Sequence, residues 1–158
     1  MLAETGAVAV FCPTSNLFLG SGLFDRERLS KCGVRIGVAT DIGGGTSYGM
    51  LETLAEGYKV LQLRGQRLTP FNSFYMMTLG NARALSLEGT IGAIAPGNTA
   101  DLVVLDAAAT PAMALRMATV ETLAEELFLL QTLGDDRAIA EVYVAGARAK
   151  TTLGGLAG

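Results

Sequence analysis

The strongest constraint on how this chain can fold is an apolar run, an amphipathic stretch and a second apolar run, all within about thirty residues, the span of a βαβ unit. Ala7 to Phe11 reads Ala-Val-Ala-Val-Phe and is closed by Cys12-Pro13. A continuous apolar run of this kind predicts a strand buried on both faces, as in a parallel sheet covered by helices. Asp25 to Lys31 predicts a helix, ended by Gly33 where a left-handed cap is wanted. Val34 to Ala39 predicts a second buried strand. Two strands joined through a helix in this way pair in parallel, because a parallel pair needs a crossover connection.

The second strand runs into Thr40-Asp41-Ile42-Gly43-Gly44-Gly45-Thr46-Ser47, a glycine-rich turn. A long helix is then expected from about Tyr48 to Arg64, with Tyr48, Leu51, Leu54, Ala55, Tyr58, Leu61 and Leu63 as its apolar stripe. Pro70 stands at the start of another helix over Phe71 to Leu79, and a short one covers Asn81 to Leu87. From Gly89 the texture changes. Gly89, Gly92, Pro96 and Gly97 punctuate short β-like pieces, and Asp101 to Asp106 predicts a strand. Val120 to Leu133 predicts an amphipathic helix, and Glu141 to Ala145 with Ala147 to Thr151 a strand pair turning at Gly146. The fold class is therefore α/β. A boundary is expected near Leu87, with an α/β segment over 1–87 and a small β-rich segment with an inserted helix over 88–158.

Composition narrows the partners. The chain has 158 residues, 50% of them hydrophobic and only 17% charged, so much of it must be buried. Its 12 basic and 15 acidic residues are evenly scattered, leaving no basic stripe for nucleic acid or an anionic membrane. No apolar run reaches the length of a membrane span, and Met1 to Thr5 lacks the basic and apolar regions of a secretory signal, so a soluble, cytoplasmic protein is expected. The two cysteines, Cys12 and Cys32, lie in no metal-binding spacing and are expected to be small buried thiols. There is no histidine at all.

Asp41 carries the most chemical content. It sits at the carboxyl end of a buried parallel strand, the edge at which α/β folds collect ligands and catalytic groups. Such an acid serves either as a turn former or helix cap, or as a metal ligand or general acid/base, and position alone leaves both open. The glycines after it lack the Gly-Lys-Ser/Thr ending of a P-loop and the spacing of a dinucleotide fingerprint. They are expected to let the backbone pass close to a ligand or a neighbouring loop. Ser15 and Asn16, in the stretch after the first strand, either offer hydrogen bonds to a polar ligand or form an ordinary turn. Without histidine the usual serine triad is impossible. Asp135 and Asp136 read as a solvated loop, and Met76-Met77 as core.

Three blocks, Phe11 to Gly22, Gly33 to Ser47 and Gly92 to Asp106, together resemble the last third of the amidohydrolase superfamily, and within it the guanine deaminase branch. The blocks follow the family's order, and the resemblance extends from Leu2 to at least Asp106. It implies a partial (β/α)8 metal-dependent hydrolase barrel, with Ala7 to Phe11 and Val34 to Ala39 as its seventh and eighth strands, joined to part of a small β-sandwich. Ile91 to Asp106 and Glu141 to Thr151 would be strands of that sandwich. In such enzymes the aspartate after the eighth strand binds the catalytic metal, usually zinc, and relays a proton from activated water to the leaving amine. That role maps onto Asp41, and guanine plus water would give xanthine plus ammonia.

The family's other metal ligands are histidines, and its proton-relay glutamate and purine-holding arginine and glutamine precede the seventh strand. A chain without histidine is therefore expected to be the carboxy-terminal portion of such an enzyme, cut between the sixth and seventh strands and inactive alone. The resemblance further implies a homodimeric parent enzyme, and two strands cut from a barrel should associate through their exposed edges. Two alternatives stand beside this reading. One is another amidohydrolase deaminase or chlorohydrolase, against which Gly43-Gly44-Gly45-Thr46-Ser47 argues, since several of those relatives carry a Ser-Asn-Asn type sequence there. The other is a non-catalytic scaffold or oligomerisation module, against which the presence of Asp41 argues.

Overall fold

A computed structural model describes residues 2–149. Strand β1 (Val8–Phe11) leads directly into a short helix α1 (Pro13–Phe18). Helix α2 (Arg26–Lys31) follows, with Asp25 as its N-cap, and strand β2 (Arg35–Val38) completes the unit. The two strands pair in parallel, Phe11 opposite Val38, as the apolar runs require. Gly33 has a φ of 71°, the left-handed cap expected at that position.

Helix α1 replaces what Pro13-Thr14-Ser15-Asn16 suggests, a plain turn. Proline is also well suited to the first helical position, where its missing N–H leaves no bond unmade, and Pro13, Thr14 and Ser15 are buried. Helix α3 (Met50–Leu63) confirms the long helix but with a narrower stripe. Leu51, Leu54 and Leu61 are buried with Val60, whereas Tyr48 is 85% and Leu63 73% exposed. Tyr48 precedes the helix and Leu63 is its last residue, so neither is held on its inner face.

Helix α4 (Pro70–Tyr75) runs through a π-type turn at Met76–Gly80 into helix α5 (Asn81–Ala84). The two expected helices are thus one path with an irregular joint. Thr78 leaves helical geometry there, and its hydroxyl donates back to the Phe74 carbonyl at 2.6 Å.

No strand lies among the described residues between Leu85 and Asp101. The expectation of sandwich strands over Ile91 to Asp106 therefore reduces to strand β3 (Leu102–Leu105), because the glycines and proline before it form turns. Helix α6 (Pro111–Met117), which the sequence reading left out, is started by Thr110, whose hydroxyl accepts from the Met113 amide. Helix α7 (Leu123–Leu133) begins with a capping box between Thr122 and Glu125. Strands β4 (Ile139–Val144) and β5 (Ala147–Arg148) then turn at Gly146, with φ of 79°, and pair with β3 as an antiparallel sheet in the order β3-β4-β5. The end of the expected hairpin, Lys150 and Thr151, lies outside the described residues.

Two apolar clusters hold these pieces together. Phe11, Val38, Leu54, Leu61, Leu68 and Met76 pack α3 and the π-type turn against the strand pair, with Phe24 stacked on Phe11 at 4.8 Å. Each fully buried side chain of this size contributes about 1.5–3 kcal/mol. Gly57 of α3 lies so close to the Phe11 ring that a Cβ there would come within 3.1 Å of it. The second cluster joins Leu51 to Met113, Leu129, Leu130 and Ala138, so side chains from both sides of Leu87 share one core.

Candidate functional site

Asp41 follows β2 after two residues, at the carboxyl end of the parallel pair. Its φ is 51°, in the left-handed region, where Asp is among the few non-glycine residues regularly found. This conformation turns the chain sharply, and the amides of Gly44 and Gly45 both donate to the Asp41 carbonyl. The first of the two open readings of Asp41, the turn former, is thus realised by its backbone. Its side chain does something else.

Asp41 Oδ2 accepts a hydrogen bond from the Ser15 hydroxyl at 2.6 Å. Ser15 stands in the first turn of α1 and is 2% exposed. Asp41 itself is exposed, and its Oδ1 accepts no hydrogen bond among the described residues. The sequence assigned Ser15 to a ligand or a turn, and the fold brings it to Asp41 instead. Asn16 stands beside it with a buried Oδ1 that has no partner among the described residues.

The glycine run performs the close approach expected of it, and its neighbour is α1. A Cβ on Gly45 would stand 2.0 Å from the Thr40 carbonyl oxygen and 2.9 Å from Thr14 Oγ1. A Cβ on Gly44 would stand 2.9 Å from Ser15 Oγ. Side chains at these positions would push the turn off the start of α1. The Thr14 hydroxyl adds a long bond, 3.4 Å, to the Thr40 carbonyl.

Asn81 is a residue that sequence reasoning missed. Its side-chain amide donates to the Val38 carbonyl at 2.9 Å and accepts from the Val38 amide at 2.8 Å. It therefore occupies the edge of β2 just before Asp41, as a neighbouring strand would. Nothing in the local sequence announces this, because residues 38 and 81 meet only through the π-type turn.

Cys12, the N-cap of α1, is partly buried, and burial followed by the nearby Asp41 charge pushes its thiol pKa up, which makes it a poor nucleophile. Cys32 is exposed at the end of α2 rather than buried, since that helix has no buried residue. Asp135 belongs to a structured turn rather than a solvated loop. Its carboxylate caps Asp136–Ala138 and grips the Arg137 guanidinium, whose hydrogen bonds hold its pKa below the usual carboxylate range. Met76 is buried core, as expected. An open groove beside the turn is lined by Thr14, Thr46, Ser47, Glu52, Lys59 and Asp135, but Asp41 does not line it.

No group of three or more His, Cys, Asp or Glu residues is placed to hold a metal among the described residues. Asp41, exposed and with no hydrogen bond to Oδ1 among the described residues, could supply one ligand, whereas a catalytic zinc site normally takes three from protein. No helix among the described residues is long and apolar enough to cross a membrane.

Comparison with known proteins gives a consistent picture. The chain is 50% identical over 145 residues to guanine deaminase of Escherichia coli (strain K12), covering 92% of this chain and 33% of that protein. The solved structure of E. coli guanine deaminase superposes with a TM-score of 0.93 at 48% identity, over 96% of this chain and 35% of the other. That of guanine deaminase from Bradyrhizobium japonicum superposes with a TM-score of 0.82 at 34% identity, over 95% and 39%. The chain thus spans about a third of the length of the curated relative it matches. A family model described as the amidohydrolase family matches residues 1–149, and with nearly the whole chain inside that match, the protein belongs to the amidohydrolase family, with its mixed α/β fold.

Proposed function

We propose that this chain is the carboxy-terminal part of a guanine deaminase, which hydrolyses guanine to xanthine and ammonia, and that Asp41 is its contribution to the catalytic centre. The observation that carries the reading is an exposed carboxylate, held at the carboxyl end of a parallel strand pair, in a chain half identical to a known guanine deaminase. The guanine deaminases among its relatives favour this over another deaminase or chlorohydrolase, and over a scaffold that has lost its chemistry.

In this reading residues 1–87 supply the last two strands and helices of a (β/α)8 barrel, and residues 88–158 part of a small β-sandwich with an inserted helix. The parallel β1–β2 pair and the antiparallel β3-β4-β5 sheet support that division. Asp41 would hold a divalent metal, zinc by family analogy, jointly with histidines outside this chain. When bound, such an ion supplies Lewis acidity that activates water near neutral pH. Asp41 Oδ2 is engaged by Ser15 and Oδ1 accepts no hydrogen bond among the described residues, so Oδ1 would be the oxygen to hold the cation, and the carboxylate would accept and return a proton. The complete protein would work in the cytoplasm as a homodimer.

The direct test is ammonia release from guanine by the complete protein. Asp41→Ala is expected to abolish turnover, a loss of at least about 1000-fold given that it removes both a ligand and a proton carrier. Retained activity would remove Asp41 from the mechanism.

A further inference from the structure

We propose that Ser15 is a positioning residue for Asp41, fixing its carboxylate so that Oδ1 is the oxygen offered to a divalent cation. The inference rests on the reading of Asp41 given above and deepens it.

An exposed aspartate on a turn ordinarily samples several rotamers, each pointing its two oxygens differently. Here one oxygen is taken. The Ser15 hydroxyl donates to Oδ2 at 2.6 Å, the short distance typical of a hydroxyl bonded to a charged acceptor. Ser15 is itself immobilised, since it is 2% exposed and flanked by buried Pro13 and Thr14 at the start of α1. The turn closes the pair from a second side. A Cβ on Gly44 would approach both Ser15 Oγ, at 2.9 Å, and Asp41 Oδ2, at 3.2 Å, so the backbone lies directly against the hydrogen bond.

The Ser15 proton is already committed to the Asp41 carboxylate, so the hydroxyl acts on that group's orientation. A hydroxyl that orients a ligating carboxylate acts on metal affinity and on turnover, and removing such an outer partner typically costs about 10- to 100-fold in either. A role confined to orienting the carboxylate predicts an unchanged KM for guanine.

The test uses the complete protein carrying Ser15→Ala, with Ser15→Thr as the variant that keeps the hydroxyl. Zinc affinity is measured by chelator competition, alongside kcat and KM for guanine and the unfolding temperature. The expected result is zinc affinity or kcat reduced about 10- to 100-fold in Ser15→Ala, KM unchanged, and most of the loss recovered in Ser15→Thr. Wild-type zinc affinity and kcat in Ser15→Ala, or a fall in unfolding temperature alone, would overturn the proposal, because a bond that merely fastens α1 to the turn moves stability only. If Ser15→Ala does not fold, Ser15→Thr and Ser15→Val, alike in shape and different in the hydroxyl, make the same comparison, and equal zinc affinity in the two defeats it. Asp41→Asn separates the two layers. Loss of zinc binding and turnover there, with Ser15→Ala like wild type, defeats only the role of Ser15. Retention of both in Asp41→Asn defeats the reading of Asp41 and the Ser15 proposal with it.

Discussion

Asp25 gathers three donors onto one carboxylate. The Arg28 amide caps through Oδ1 at 3.1 Å, the Gln66 amide joins it at 2.8 Å, and Arg64 reaches Oδ2 at 2.6 Å. The Arg28 amide bond is the largest influence, followed by Gln66, and together with the Arg64 charge they hold this carboxyl below its usual pKa. A carboxyl depressed on folding contributes stability that is full above its unfolded pKa and is lost as pH falls through the folded one. Asp25→Asn should therefore lower the unfolding temperature at neutral pH, and the gap from wild type should close as pH drops below the ordinary carboxylate range. Unfolding midpoints measured from pH 7 to pH 3 check this, and a gap independent of pH would contradict it. At this scale the sequence was informative about type and silent about partners. Asp25 at the start of a helix is legible from local pattern, but its bonds to Arg64 and Gln66 reach across α2, β2 and all of α3. Asp41 was legible in the same way, by its place after a strand, whereas its bond to Ser15 required the two strands to pair.

Helices and strands divide by how local their causes are. The parallel pair, α2, α3 and α7 follow from apolar runs, caps and period, and the structure places each within a few residues of expectation. Helix α1 and the π-type turn do not, because six residues starting Pro-Thr-Ser-Asn have too little periodicity to outweigh their turn chemistry. The absent sandwich strands before Leu102 fail for the opposite reason, since short apolar pieces between glycines become strands only if a neighbour pairs with them. The edge of β2 shows what a neighbour does. Asn81 satisfies both the amide and the carbonyl of Val38. Asn81→Ala strips both partners at once, and unmade bonds to partly buried backbone groups cost about 1–3 kcal/mol. A lower unfolding temperature and faster hydrogen exchange at the Val38 amide are expected, and unchanged exchange there would show that the edge is held by something else.

At the level of the whole molecule the strand pair is short of neighbours. Val10, Leu17, Phe18, Leu19 and Ile42, all in or next to β1, α1 and the Asp41 turn, are between 46% and 68% exposed. Clustered apolar surface beside a two-stranded parallel sheet is a feature that folded proteins normally cover. A polypeptide of these 158 residues alone should therefore self-associate and should release no ammonia from guanine even with stoichiometric zinc. Sedimentation and an ammonia assay check this, and a monodisperse monomer or measurable turnover would refute it. The sequence by itself determined the α/β class, the parallel pair, the position of Asp41 and the impossibility of a histidine site, because each depends on residue type and short-range order. Only the tertiary structure decided that Ser15 grips Asp41, that Asn81 bonds Val38 at the edge of β2, and that Leu51 and Leu129 share one core. Those contacts join residues far apart in the chain, and their geometry is set by how helices pack on the strand pair, which local pattern does not encode.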